Sequence, residues 1–264
     1  MKRSILAVPV RKVTGTIATE EQDLLAVEEP LQVRLGDRDI SITMRTPGHD
    51  EELAAGFLFT EGILHSSSEV AEISASDNAV TVTLQPGVRL DPDLGERHFY
   101  MTSSCGVCGK ASMDALTASG CSTLPQGSFK IDAAILQTLP ARLRESQQVF
   151  DRTGGLHAAA LFNAEGQLIC VREDVGRHNA LDKLIGRALL DSRVPLSDYL
   201  LLVSGRISFE LVQKAVMAGI PILCAVGAPS SLAVETALRF GITLAGFVRD
   251  GRFNVYAGPE RICF

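Results

Sequence analysis

Three short apolar segments separated by helical segments constrain the fold of this chain more than any other feature. YLLLVSG, IPILCAVG and ITLAGFVRD lack the polar alternation of a half-exposed strand, and helices are predicted between them at 208–218 and 230–240. Strands without alternation are buried on both faces, which is typical of a parallel sheet covered by helices. A strand pair at 156–174 and a helix at 175–191 precede them. The second half is therefore predicted to be an α/β domain.

The first half predicts a mixed α+β region. LQVRLGDRDISITMRT alternates with period two around a Gly-Asp turn, which indicates a hairpin at 31–46. The other predicted elements are a helix at 49–64 with Asp50 as its N-cap, a strand at 78–87, and helices at 109–120 and 131–148. PQGS, near residue 128, marks the boundary between a smaller domain, 1–128, and a larger domain, 129–264.

The carboxyl ends of the three apolar strands predict a ligand site. Ligands of open parallel sheets bind beyond these ends, which here are SGRIS (204–208), VGAPSS (226–231) and FVRDGR (247–252). The first two segments lead into helix N-termini with serine caps, where free backbone N–H groups favour an anion. The first and third bring three arginines to the same edge: Arg206, Arg249 and Arg252. Arginine binds phosphate through two parallel hydrogen bonds, so the edge predicts a nucleotide or phosphate site.

Composition narrows the class of protein. The formal net charge of −6 argues against broad nucleic-acid binding. The uncharged stretch 215–234 contains glycine, proline and serine, and it is interpreted as helix end, strand, loop and helix start rather than as a membrane span. The N-terminal apolar run is too short for a signal peptide. We therefore expect a cytosolic protein without a membrane segment, in which Cys170 and Cys224 are buried strand cysteines.

The segment TSSCGVCGK contains a pair of cysteines, the clearest candidates for reactive residues in the chain. Cys105 and Cys108 form a CxxC pair with Lys110 behind it. Zinc would need four ligands, and the candidates for the other two are Cys121, His98 and His157. Thiol redox chemistry is a second hypothesis, since a following helix and Lys110 would stabilise a thiolate. The third is sulfur carriage, in which an accessible thiolate accepts sulfane sulfur as a persulfide.

Six segments of the chain carry a resemblance: TSSCGVCGKAS, TGGLHAAALF, EDVGRHNALDKLIG, SGRISFELVQKA, VGAPSSLAVETA and RTPGHDEELAAGFLFTEGI. The first five together resemble the formate dehydrogenase accessory sulfurtransferase family, FdhD, and the sixth is similar to it as well. The resemblance covers nearly the whole chain. It implies a cytoplasmic homodimer that takes sulfur from a cysteine desulfurase. It also implies delivery of that sulfur to the molybdenum or tungsten bis(guanine dinucleotide) cofactor of formate dehydrogenase.

The resemblance also implies roles for particular residues. Cys105 would be the persulfide cysteine, and Cys108 a relay or helper. The implied cofactor-binding residues are Phe247, Val248, Arg249, Asp250, Gly251 and Arg252. GDP or a similar guanine nucleotide would mimic the cofactor there. An alternative function is a cofactor-binding chaperone that transfers no sulfur.

The implied fold of the larger domain is a cytidine-deaminase-like, three-layer αβα arrangement. A zinc deaminase carries HxE after the hairpin and PCxxC at the next helix start. VGRHNALDK and SGRISFELV occupy those places here and supply neither motif, so no metal is expected at that point.

Several other polar residues have two interpretations. His157 is either a proton donor near the site or a strand-end histidine. The polar residues of the helix at 175–191 would contact the cofactor, or they would cap the helix, with Asp182 and Lys183 on a solvated face. His49 and Asp50 are interpreted as a turn and a cap.

Overall fold

The computed structural model of the protein describes residues 4–88, 123–124 and 129–264, and elements are numbered among these residues. The chain begins with a hairpin of β1 (Ile5–Thr14) and β2 (Ile17–Ala26), which pair along their full length. Most of its side chains are exposed on both faces. The hairpin therefore lacks the period-two pattern that marks a half-buried strand, and the sequence pattern does not predict it.

A four-stranded sheet follows and confirms the predicted hairpin at 31–46. Its strands are β3 (Glu29–Leu35), β4 (Arg38–Arg45), β5 (Val70–Ser76) and β6 (Ala79–Leu84), in the order β4-β3-β6-β5. Gly36 supplies a φ of 56° in the turn between β3 and β4. The alternate residues Leu31, Val33 and Leu35 are buried, which explains the period of two in the sequence.

Helix α1 (Asp50–Thr60) confirms the predicted helix, but its N-cap differs from the prediction. The N-cap is His49, which has a φ of 57° and makes no side-chain capping bond. The Asp50 carboxylate instead accepts hydrogen bonds from Nε and Nη2 of Arg45, at 2.8 and 2.9 Å. Because the Arg45 side chain is fully buried, its charge needs an ionised partner, and Asp50 serves that need rather than capping the helix.

The second half contains a six-stranded sheet in the order β13-β12-β11-β10-β8-β9. Its strands are β8 (His157–Phe162), β9 (Leu168–Asp174), β10 (Leu200–Val203), β11 (Ile222–Ala225), β12 (Thr243–Arg249) and β13 (Arg252–Ala257). β10, β11 and β12 are parallel, as predicted. β8 and β13 run antiparallel to their neighbours, so the sheet is mixed.

Helices cover both faces of this sheet. They are α2 (Ala133–Ser146), α4 (Arg177–Leu190), α5 (Phe209–Met217) and α6 (Ser231–Phe240). The short helix α3 (Gln148–Thr153) follows α2 and packs against β2. Leu201 and Val203 of β10 belong to the core shared with α4, α5 and α6, whereas Leu200 and Leu202 belong to the core shared with α2. The larger part of the chain is therefore the expected three-layer αβα arrangement. A short parallel pair, β7 (Ile131–Asp132) and β14 (Ile262–Cys263), lies beside it.

Helix α1 joins the two parts of the molecule. It packs against α4 on one side and against β5 and β6 on the other, within one hydrophobic core. At the crossing, a Cβ on Gly56 would overlap the Asp182 carbonyl, and a Cβ on Gly186 would overlap the Glu52 carbonyl. The two helices thus approach with their backbones nearly in contact, which only glycine allows.

The structure confirms the interpretation of the uncharged stretch 215–234. It comprises the end of α5, the strand β11, a loop and the start of α6. Cys224 is fully buried in β11, as predicted, and Cys170 of β9 is half-buried. No helix in the described part of the chain is both long enough and apolar enough to cross a membrane.

Candidate functional site

The predicted ligand edge forms as expected. Because β10, β11 and β12 are adjacent and parallel, their carboxyl ends meet at one edge of the sheet. The segments 204–208 and 226–231 are loops that lead into α5 and α6. The third segment, 247–252, is the tip of the hairpin formed by β12 and β13.

Backbone hydrogen bonds continue beyond the strand ends and join these segments. The Gly227 N–H donates to the Gly205 carbonyl at 3.1 Å, and the Phe247 N–H donates to the Gly227 carbonyl at 3.0 Å. A parallel bridge also pairs Ile207 with Pro229. The three segments are therefore held side by side as one surface.

Glycine makes this close stacking possible. A Cβ on Gly227 would lie 2.8 Å from the Gly205 carbonyl oxygen. A Cβ on Gly246 would lie 2.9 Å from Pro229 Cδ and 3.2 Å from the Gly227 carbonyl oxygen. Because glycine has no Cβ, the backbones of neighbouring loops can lie in contact at this edge.

The hairpin tip presents two arginines to solvent. Asp250 and Gly251 have φ values of 54° and 70°, the left-handed conformation that a two-residue hairpin turn requires. Arg249 and Arg252, which flank the turn, are paired across it and exposed. The Arg249 guanidinium lies 5.7 Å from the centroid of the Phe247 ring.

The remaining residues of this segment differ in exposure. Phe247 is half-buried and has a φ of 54°, whereas Val248 is fully buried in the core beneath α2. Contact between Val248 and a ligand would therefore involve its backbone.

The arginines at the edge are available to an anion. Arg206, Arg249 and Arg252 are all exposed. In the described ranges, none of the three has a carboxylate within ion-pair distance. Three uncompensated guanidinium groups on one edge favour a phosphate-bearing ligand.

His157 lies at the same edge because β8 runs antiparallel to β10, so that β8 starts where β10 ends. A Cβ on Gly205 would lie 3.2 Å from His157 Nδ1, so the imidazole packs on the glycine backbone. Burial and the positive charge of Arg177 lower the pKa of His157, and the charge of Asp174 only partly opposes them. The lowered pKa favours the neutral imidazole, which still has one N–H to donate. Both interpretations of His157, proton donor and strand-end histidine, stay predictions.

His178, the second residue of α4, lies next to the start of α5. Its Nε2 is 3.3 Å from Ser208 Oγ and 3.9 Å from Glu210 Oε2. Burial first, and then the charges of Lys214 and Arg177, lower the pKa of His178 to about 4. His178 is thus neutral at pH 7. Because the same nitrogen faces both the hydroxyl and the carboxylate, the arrangement is not a Ser-His-acid relay.

The two predicted serine caps behave differently. Ser230 caps α6 by accepting a hydrogen bond from the Ala233 N–H at 3.2 Å. Ser208 occupies the N-cap position of α5 but makes no capping bond, and its hydroxyl lies beside His178. Burial tends to raise the pKa of Glu210, but hydrogen bonds from Ser208 and from its own backbone N–H lower it below its ordinary value. No local pattern predicts that His178 lies beside Ser208 and Glu210, since the contact between His178 and Ser208 spans 30 residues.

A buried polar network fixes the start of α4 and corrects the predicted solvated face. Lys183 Nζ lies 2.7 Å from Asp174 Oδ2 and donates to the Thr46 carbonyl at 2.8 Å. Asn179 donates to Asp174 and to the Met44 carbonyl. The Lys183 and Asp174 side chains are 1% and 0% exposed, because the end of β4 covers them.

Asp182 is also buried rather than solvated. Its carboxylate lies 2.9 Å from Lys214 Nζ and accepts a hydrogen bond from Thr60 at 2.9 Å. Burial raises the pKa of Asp182, and Lys214 and Thr60 oppose this shift. The pair ties α4 to α5 and, through Thr60, to the end of α1.

Cys105 and Cys108 lie outside the described residues, as do Cys121 and His98. Among the described residues, no group of three or more histidine, cysteine, aspartate or glutamate side chains could hold a metal ion. The zinc, redox and persulfide hypotheses for the CxxC pair therefore stay predictions.

Comparisons with known proteins agree with each other. The model of the FdhD/NarQ family matches residues 26–263. Sulfur carrier protein FdhD from Streptomyces avermitilis is 54% identical over 259 residues, which cover 94% of this chain and 92% of the relative. The protein of the same name from Sulfurisphaera tokodaii is 44% identical, with 97% and 98% covered. The crystal structure of a candidate formate dehydrogenase accessory protein from Desulfotalea psychrophila has a TM-score of 0.80 and 27% identity, and covers 99% of this chain and 100% of its own.

Proposed function

Because this chain belongs to the FdhD/NarQ family, we propose that it carries sulfur as a persulfide on Cys105 for the maturation of a formate dehydrogenase. The sulfur would come from a cysteine desulfurase. Its acceptor would be the molybdenum or tungsten bis(guanine dinucleotide) cofactor, which is bound as substrate at the carboxyl edge of the six-stranded sheet. Cys108 would assist Cys105 as a relay.

The first half-reaction is a sulfane sulfur transfer. The Cys105 thiolate attacks the terminal sulfur of the desulfurase persulfide. A new S–S bond forms on Cys105, the S–S bond of the desulfurase breaks, and its cysteine leaves as a thiolate. No external oxidant or reductant is needed, because one persulfide replaces another.

The observation that carries the binding part of this proposal is a set of three exposed arginines at one edge, none of which has a carboxylate within ion-pair distance among the residues that the structure describes. Arg249 and Arg252 flank the hairpin turn, and Arg206 lies on the loop after β10. A guanine dinucleotide brings phosphates, for which guanidinium groups are suited. Residues 247–252 would hold these phosphates, with GDP as a simpler mimic.

A cofactor chaperone without sulfur transfer is the competing function. It would use the same sheet edge, and the CxxC pair would be a structural or redox clip. The two functions differ in what they require of Cys105, since only a sulfur carrier needs its thiolate.

Variants of Cys105 test this difference. Formate dehydrogenase activity would be measured in cells that lack their own copy of this protein and express Cys105→Ala or Cys105→Ser. We expect both variants to abolish maturation while binding GDP as the wild type does. Normal maturation by Cys105→Ser would favour the chaperone, and loss of GDP binding would contradict the separation of the two roles.

The remaining properties implied by the family belong to the same proposal. The protein would act in the cytoplasm as a homodimer, with a desulfurase and a formate dehydrogenase as its partners. Neither a nucleic acid nor a membrane is part of the proposed function.

A further inference from the structure

The hairpin of β1 and β2, which we call the arm, has no packed core of its own. Its two strands pair over ten residues each and form a separate two-stranded sheet. A hairpin of two strands is marginally stable in water unless another surface covers it. The ion pair between Arg11 and Glu20 adds little, because its side chains are 74% and 77% exposed. The arm therefore needs a surface to pack on.

One face of the arm is apolar and exposed. Directly opposite residues of an antiparallel pair share a face, so the paired residues Leu6 and Leu25 lie on the same face. Val8 and Val10 alternate with Leu6 along β1, and Ile17 lies at the far end of the same face. Leu6, Leu25 and Ile17 are 51%, 45% and 69% exposed. We call these five residues the arm face, and a patch of exposed apolar residues marks an interaction site.

The charged residues on this side of the arm largely neutralise each other. Lys12 and Glu21 form an ion pair there, with 3.1 Å between Nζ and Oε2. Asp23, also on this side, accepts a hydrogen bond from the Leu24 backbone N–H. A mainly apolar and nearly neutral face fits a lasting contact with another apolar surface better than it fits a strongly charged partner.

The opposite face of the arm contacts its own chain at the base. Ala26 lies on that face, because it pairs with Ile5. A Cβ on Gly155 would lie 3.6 Å from Ala26 Cβ, and β2 also packs against α3. The arm face therefore points away from this contact.

A second exposed apolar patch lies on the four-stranded sheet. Pro30 is exposed and precedes the buried Leu31, so the two side chains point to opposite faces of the sheet. Met44 is directly opposite Pro30, and Ile42 is two residues before Met44, so these three share the outer face. Ile42 and Met44 are 54% and 40% exposed. We call Pro30, Ile42 and Met44 the sheet patch.

We propose that two copies of this chain exchange their arms, so that the arm face of each copy packs on the sheet patch of the other and on the surface around it. The inference rests on the homodimer of the proposed function and names its interface. Both surfaces belong to the same chain, so a twofold axis generates two identical contacts and closes the assembly.

The area of this exchange suits a stable dimer. A strand of ten residues is about 33 Å long and a two-stranded ribbon is about 10 Å wide, so one arm face covers about 330 Å². Two such contacts remove about 1,300 Å² from solvent when both sides of each are counted, and specific interfaces bury about 1,200–2,000 Å². A single arm on an unrelated partner would bury about half of this area, which is below that range.

Charge substitutions on each surface test the exchange. Sedimentation velocity would compare the full-length wild type with Leu6→Lys/Leu25→Lys on the arm face and with Ile42→Glu/Met44→Glu on the sheet patch. We expect the wild type to be a dimer. Each variant should dimerise at least about a hundredfold more weakly, because the contact would bury charges that have no partner.

A mixture of the two variants tests the arm face against the sheet patch directly. In a mixed dimer, the lysines of one arm face meet the glutamates of one sheet patch, and the second contact is wild type on both sides. We expect mixing to restore a dimer that contains one copy of each variant, which also shows that both variants are folded. Leu232→Lys/Leu238→Lys, which changes two exposed leucines of α6, is the control and should dimerise as the wild type does.

Other results would overturn the inference, and they separate it from its premise. If the wild type is a dimer and either surface variant is equally dimeric, the arms are not exchanged, although the homodimer stands. Monomeric variants whose mixture stays monomeric would contradict contact between the arm face and the sheet patch. A monomeric wild type would overturn both the exchange and the homodimer of the proposed function.

Discussion

Gly186 of α4 packs directly on the backbone of Glu52 of α1, so that a single added methyl group would overlap the Glu52 carbonyl. This contact joins the two parts of the chain at the helix that carries His178. We expect Gly186→Ala to destabilise the fold by about 1–3 kcal/mol, because the overlap outweighs the gain in helix propensity. Urea denaturation measures the change.

Gly155→Ala is the matched control for that substitution. A Cβ at Gly155 would lie 3.6 Å from its nearest neighbour, which is an ordinary contact. Its unfolding free energy should stay within about 0.5 kcal/mol of the wild type. Equal stability of Gly186→Ala and Gly155→Ala would contradict the close crossing of α1 and α4.

The buried pair of Lys183 and Asp174 predicts a large effect of removing one partner. Lys183→Met leaves the Asp174 carboxylate buried without its cation, which costs about 3–5 kcal/mol. The double variant Lys183→Met/Asp174→Asn should recover part of this loss, since no uncompensated charge remains. Lys130→Met, at an exposed position, is the control. Additive effects of the two single substitutions in the cycle would show that the pair is not coupled.

The lowered pKa of the Glu52 carboxyl group predicts that the fold loses stability in acid. Burial tends to raise its pKa, but hydrogen bonds from Arg172 and His49 lower the pKa to about 2. A lowered pKa means that the carboxylate stabilises the fold above its unfolded pKa of about 4.5, and that this contribution is lost as the pH falls towards 2. With allowance for solvent screening, the loss should be about 1–3 kcal/mol.

Unfolding of Glu52→Gln as a function of pH measures this contribution. The wild type should lose its advantage over Glu52→Gln between pH 4.5 and 2. Glu51→Gln, which changes the exposed preceding residue, should show no such convergence. A constant difference between wild type and Glu52→Gln across this range would contradict the lowered pKa.

His178 predicts a titration well below neutral pH. Its pKa of about 4 lies below the ordinary value of 6.5, so the unfolded chain binds more protons than the folded chain between these values. Stability contributed by the neutral imidazole is therefore complete above pH 6.5 and declines as the pH falls towards 4. NMR should assign a midpoint near 4 to the imidazole signal that is lost in His178→Asn. A midpoint near 6.5 would place His178 in a solvated environment.

The hairpin arginines predict weaker nucleotide binding when they are removed. Arg249→Ala/Arg252→Ala should weaken GDP binding by about tenfold or more and reduce its dependence on salt, because charge-assisted bonds to phosphate are lost. Arg193→Ala, an exposed arginine beyond the other end of α4, is the control. Unchanged GDP affinity in the double variant would remove residues 249 and 252 from the proposed site.

Local patterns predicted the second half of the fold well. β10, β11 and β12 are continuous apolar runs because both faces of the sheet are covered, so the sequence predicts that they are parallel and share a carboxyl edge, but not the order in which they lie. β13 was missed, although the Asp250-Gly251 turn before it is a hairpin signal.

Long-range packing accounts for what the sequence could not reveal. From the sequence, Asp182 and Lys183 are predicted to lie on a solvated face, because charged side chains usually are exposed. They are buried here because Thr60 and Thr46, more than 120 residues earlier in the chain, cover them. The pairing of His178 with Ser208 and Glu210 depends on tertiary contact in the same way.

Mass spectrometry of the protein after incubation with a cysteine desulfurase and cysteine tests sulfur carriage on Cys105. We expect a gain of one sulfur atom that reductant reverses and that peptide mapping assigns to Cys105. Cys105→Ala should gain none at that position. No gain in the wild type, with a desulfurase shown to be active on another acceptor, would contradict sulfur carriage and leave cofactor binding as the function to be tested.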